Sequence, residues 1–145
     1  MRTEALTASV RTLTSAGAKL ALEAAEQAAV ARGLAVSISV VDHVGNLVAF
    51  LRVNMACVTS IEASIRKART AASLGAPTKL FEDLLHGGMT SLLAFEFISP
   101  SQGGIPITVD GIVVGGIGCS GSSGDDDEAI ATAGAASLSA IGTRW

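Results

Sequence analysis

The segment Leu34–Val53, LAVSISVVDHVGNLVAFLRV, does most to narrow what this chain can become. Val36, Ile38 and Val40 alternate with Ser37 and Ser39, the two-residue period of a half-buried strand. Asp42–Asn46 reads as a turn, with Gly45 where a positive φ is tolerated, and Leu47–Val53 resumes as a strand. Two strands joined so tightly can only be antiparallel. The last third repeats the device. Gly103–Ile107 leads into a strand, Val109-Asp110-Gly111-Ile112 is an Asp-Gly hairpin turn, and Ile112–Cys119 is a buried strand.

Helices fill the intervals. Thr14 and Ser15 offer an N-cap to Ala16–Ala31, where Leu20, Ala21, Ala24, Ala25 and Ala28 recur at helical spacing before Gly33. Residues 59–74 form a second helix, capped by Thr59 or Ser60 and ended by Gly75. Pro77–Leu85 is a short helix with Pro77 at or near its first position. His86–Pro100 is broken by Gly87 and Gly88, and Leu92–Ile98 suits helix or strand equally. Asp126–Ile141 is the final helix. The order predicts an α+β domain, an antiparallel sheet flanked by helices, over residues 14–145 behind an N-terminal arm of residues 1–13.

Composition sets limits on function. Hydrophobic residues make up 49% and charged residues 16%, too apolar for a disordered chain. The apolar stretches are too short and too interrupted to span a membrane. Net charge is −3 and aromatics are 3%, which offers nucleic acid neither a basic footprint nor a stacking platform. So little charge on so small a domain predicts that other subunits cover part of its surface. The N-terminus lacks the apolar core of a secretory signal, so the expected location is cytoplasmic. Cys57 and Cys119 sit among apolar residues and are expected to be buried free thiols.

Several motifs invite chemistry. Gly116–Gly121 matches G-x-G-x-x-G, but no βαβ unit is expected to follow it, and Asp125–Glu128 would repel a pyrophosphate. Tight strand packing is the better account of these glycines. The acids fit no calcium loop and are expected to complement the dipole of the last helix. Gly118–Ser122 lacks the second glycine of a nucleophile elbow. His43 and His86 have neither the spacing nor the cysteines of a zinc site and are expected in exposed loops, and no metal site is expected. Lys67, in an apolar helix, needs an anionic partner, either Asp42, Glu62, a neighbouring subunit or a ligand carboxylate. Arg52 ends the second strand and is the other half of that candidate clamp. Gly103, Gly104, Ile105 and Pro106 form a loop whose glycines permit close backbone approach.

SISVVDHVGNLVAFLRV, Arg66–Ala72, GGIPI and GIVVGGIGCSGSSGDDDEAIATAG together resemble, in order, the sequence blocks of the GlcG/HbpS/PduO C-terminal family. The correspondence spans roughly residues 14–142 and falls on Asp42, Gly45, Arg52, Lys67, Ala68, Thr70, Gly103, Gly104, Pro106, Gly115, Gly118, Ser120, Gly121, Asp127, Glu128 and Gly134. The resemblance implies a profilin-like fold and a homo-oligomer built on dimers, with hexamers and octamers as candidate sizes. It also implies a small-molecule binding module. Some members bind haem, and others belong to corrinoid, glycolate or aromatic catabolism. Where a histidine of such a member ligates haem it lies on the first helix, and residues 14–32 here contain none. The axial candidates are therefore His43, His86 and Met55, with Met89 a further soft ligand. The expected function is binding of haem or a related tetrapyrrole between subunits, with Arg52 and Lys67 on its propionates. The alternative is a small cofactor-independent isomerase, tautomerase or hydrolase acting on a small carboxylate or an aromatic-degradation intermediate held by Arg52 and Lys67. Its acid/base would come from Asp42, His43, His86 or Glu128. Aromatic side chains for a haem cleft are few: Phe50, Phe81, Phe95, Phe97 and Trp145.

Overall fold

In a computed structural model describing residues 5–139, the elements run α1 (Ser15–Ala31), β1 (Ser37–Asp42), β2 (Leu47–Arg52), α2 (Thr59–Leu74), α3 (Thr78–His86), β3 (Gly104–Val109), β4 (Ile112–Ser120) and α4 (Gly124–Ser139). Short 3₁₀ turns lie at Val53–Met55 and Thr90–Ala94. The strands make one antiparallel sheet in the order β2-β1-β4-β3, so each hairpin supplies one central and one edge strand. The fold is α+β, as the paired hairpins predict.

Side-chain alternation along β1 sets the layers. Ile38 and Val40 enter the main core with Ala21 and Ala25 of α1 and Ile130 and Ala131 of α4. Ser37 and Ser39 point the other way and are buried too, so the strand is covered on both faces and not half-buried as alternation suggested. Helix α2 covers them, and their hydroxyls pair with Ser60 and Ser64 at 2.7 Å. Small, mutually satisfied hydroxyls let a helix sit close to a strand. Gly116 and Gly118 continue this seam on β4, where a Cβ would strike the carbonyls of Ala68 and Ser64 on α2. That is the role of the G-x-G spacing. No phosphate cradle is needed to explain it.

The turns follow their residues. Asp42 Oδ1 accepts hydrogen bonds from the backbone N–H groups of Val44 and Asn46, and Gly45 takes φ 90°. Asp110 and Gly111 both have positive φ, the requirement of a type I′ hairpin. Thr14 Oγ1 caps α1 by accepting from Gly17 N at 3.2 Å, and Leu13 is buried against the sheet. Three expectations need correction. Helix α2 starts after Val58 with no side-chain cap, because Ser60 Oγ bonds back to Cys57 O and across to Ser37. Residues 92–98 are neither α-helix nor strand but a 3₁₀ turn followed by irregular chain. Helix α4 begins at Gly124, two residues early, and the expected end at Ile141 lies outside the described residues, as does Trp145. No helix among the described residues is long and apolar enough to cross a membrane.

Candidate functional site

Lys67 and Arg52 do not meet. Lys67 leaves α2 and passes the start of β3 to reach the N-terminal turn of α4. Its Nζ donates to Asp127 Oδ2 at 3.1 Å and to Cys119 O at 3.0 Å, with both charged side chains almost wholly buried. Asp127 Oδ1 accepts from Ser122 N at 3.0 Å. Burial raises the Asp127 carboxyl above its usual range, and the ammonium of Lys67 pulls it back. Burial likewise pushes up the Cys119 thiol. The partner of Lys67 is therefore neither Asp42, Glu62 nor a ligand. Asp127 does more than complement the dipole of α4.

This crossing explains the glycine pair at 103–104. Gly103 has φ 130°, and a Cβ there would lie 2.6 Å from Cys119 O and 3.0 Å from Lys67 Nζ. A Cβ on Gly104 would strike the Lys67 carbonyl, while Gly104 N donates to Thr78 Oγ1 at 2.8 Å. The close approach these glycines permit is made by the protein's own chain. Ile105 packs against the main core, and half-buried Pro106 faces α2 opposite Gly116.

Arg52 belongs to a different feature. Helix α2 packs on β4, β1 and β3, leaving edge strand β2 projecting beyond it. Register places Arg52 beside Ser37, Phe50 beside Ser39 and Leu47 beside Val41, all toward the α2 side and all exposed. Ile61 and Ile65, half-buried on the adjoining flank of α2, form the wall of this shallow apolar groove. Arg69, whose Nε donates to Gly45 O at 3.1 Å, stands near the hairpin end. At the other end Arg52 Nε donates to Ala56 O at 2.7 Å, and its Nη atoms have no partner among the described residues.

That bond braces the turn from Val53 to Val58. Val53 and Ala56 are buried, while Asn54 and Met55 take φ of 49° and 56°, a left-handed conformation that side chains resist. The turn leaves Met55 85% exposed. Cys57, expected to be buried, is exposed because it falls in this turn and not in an element. The Thr59 hydroxyl, 3.4 Å away, draws its thiol below the usual value.

The remaining candidates are dispersed. Asp42 is committed to its turn. His43, expected to be exposed, is half-buried in the same turn, and its enclosed Nδ1 has no hydrogen-bond partner among the described residues. His86 is exposed at the end of α3, and Met89 is exposed just beyond it. Glu128 is half-buried on α4, its enclosed Oε2 without a partner among the described residues. Among the described residues no hydrogen bond joins any two of Asp42, His43, His86 and Glu128, and no cluster of His, Cys, Asp and Glu could hold a metal ion. Sequence reading missed Asp127 as the partner of Lys67 and missed the groove beside α2. The apolar Ile61-Ile65 spacing was a signal for the groove, but only the sheet order shows that β2 lies uncovered beside it.

A family model described as haem degrading protein HbpS-like matches residues 13–136. A 15.0 kDa protein from the dhaT–dhaS intergenic region of Citrobacter freundii is 34% identical over 127 residues, covering 84% of this chain and 89% of its own. The crystal structure of a double mutant of Streptomyces reticuli HbpS is 40% identical, with a TM-score of 0.84, covering 95% of this chain and 94% of its own. The crystal structure of a PduOC–heme complex is 27% identical, with a TM-score of 0.79, covering 88% of this chain and 95% of its own.

Proposed function

The chain belongs to the HbpS-like family, and from its geometry we propose that it is a binding module that holds haem or a related tetrapyrrole between subunits of a homo-oligomer. The observation that carries this reading is the groove beside β2. It is bordered by exposed Leu47 and Phe50 and half-buried Ile61 and Ile65, and at one end the Nη atoms of Arg52 have no partner among the described residues. A flat apolar ligand with carboxylates needs those features: apolar walls for the macrocycle and a forked donor for the acid groups. The heme complex of the PduOC structure supports the same reading.

The residues present fit the group. Arg52 would receive a propionate, Phe50 and Leu47 would lie against the ring, and exposed Met55 would offer a thioether to the iron. His86 is the exposed imidazole among the described residues and is the competing axial candidate. Bound haem would supply the iron and its ligand chemistry, while the chain supplies apolar cover and charge. Lys67 takes no part, since its ammonium is held by Asp127 and Cys119 O.

Titrating hemin into the protein while following the Soret band tests the reading. A saturable, stoichiometric shift is expected. A spectrum that stays that of free pigment in excess protein would exclude it, and small carboxylates would then be screened by thermal stabilisation.

A further inference from the structure

The groove has a floor and one wall, so a ligand lying in it would keep one face in water. Resting on the reading of this groove as an intersubunit site, we propose that its second wall is the segment Leu93–Phe97 of another copy of this chain. The segment is built to project. Leu92 is buried as an anchor, while Leu93, Phe95 and Phe97 are 67, 57 and 71% exposed. Its backbone is pinned to α2: Arg66 Nη2 donates to Glu96 O at 3.2 Å, and the Thr70 hydroxyl bonds Phe97 O at 3.0 Å and accepts from Ser99 N at 2.9 Å. A braced apolar ridge loses little freedom on docking, and exposed aromatics are the side chains that contribute most at interfaces.

Charge selects the partner. Glu96 is the one charged residue between His86 and Asp110. It is exposed and forms no salt bridge among the described residues. The groove offers Arg52 and Arg69 at its two ends. An apolar ridge with one acid therefore matches an apolar groove with two cations. Position decides that the contact is between copies. Arg66 and Thr70 hold the ridge on the flank of α2 opposite Ile61 and Ile65, so a chain cannot lay its own ridge in its own groove. Two copies can make this contact reciprocally about a two-fold axis, or several can pass it round a ring.

The test uses the native thiol at the mouth of the groove. Wild type, whose Cys57 is exposed and Cys119 buried, is unfolded and refolded together with a size-tagged Cys57→Ser/Ala94→Cys variant, without ligand, so that mixed oligomers form, and is then treated with a mild oxidant. A disulfide-linked mixed dimer that dominates both homodimers is expected. No cross-link, or a statistical mixture of all three pairings, overturns the proposal. Phe95→Asp/Phe97→Asp provides a second arm: with an unchanged circular dichroism spectrum, sedimentation velocity is expected to show a smaller species than wild type. An unchanged mass, or a monomeric wild type, also overturns it. No ligand enters either arm. Cross-linking with a flat hemin titration removes only the ligand reading, and hemin binding without cross-linking removes only this interface.

Discussion

Replacing Lys67 by Met separates a buried structural ion pair from a ligand clamp. The substitution keeps most of the side-chain volume, so little cavity is created. What is lost is the charge facing Asp127 and the donor to Cys119 O, at 3.1 and 3.0 Å. Asp127 would keep the bond from Ser122 N and the long one from the Cys119 thiol, neither of which carries a compensating charge, and would stay buried. Removing one partner of such a pair costs about 3–5 kcal/mol. For a domain of this size that lowers Tm by roughly 6–20 °C, at about 2–4 °C per kcal/mol. The loss depends on pH. Burial already raises the folded-state pKa of Asp127, and removing Lys67 raises it further. A carboxyl raised on folding costs stability above its folded pKa, and that cost fades as pH falls through the folded pKa toward the unfolded value. The deficit of Lys67→Met is therefore largest near neutrality and shrinks on acidification. Adding Asp127→Asn removes the orphaned charge and restores most of the loss. Thermal unfolding followed by circular dichroism at several pH values measures all of this. A neutral-pH Tm within about 1 °C of wild type, coupled with weaker hemin binding, would refute the reasoning and return Lys67 to the ligand.

Gly103→Ala combines an unfavourable positive φ with a Cβ 2.6 Å from Cys119 O. It is expected to cost more than about 2 kcal/mol in urea unfolding, and a neutral result would mean the crossing is looser than described. A thiol reagent should modify one cysteine per chain in the native protein and two in denaturant, because Cys57 is exposed with a lowered pKa and Cys119 is buried with a raised one. Rapid native modification of both would contradict the burial of Cys119.

Local signals carried the fold. Alternation in β1, the Asp-Gly turn at 110–111 and Gly75 at the end of α2 each depend on residues a few positions apart, so a single sequence displays them. Where distant chain decides, the reading failed. Ser37 and Ser39 looked solvent-facing because nothing local shows that α2 covers them. Lys67 plainly needed an acid, but its partner lies sixty positions away. Cys57 looked buried because its neighbours are apolar, whereas the strained turn at Asn54 and Met55 turns it outward. Of the candidate site, Arg52 and Met55 were named from sequence. The groove they border exists only because β2 is an edge strand outside the three on which α2 packs.

The most direct test of that groove is the hemin dissociation constant of wild type against Arg52→Ala. Hydrogen bonds to a charged group are worth about 1.5–3 kcal/mol, so affinity is expected to fall about 10- to 100-fold while stoichiometry is unchanged. An unchanged constant would contradict the account and place the ligand elsewhere on the molecule.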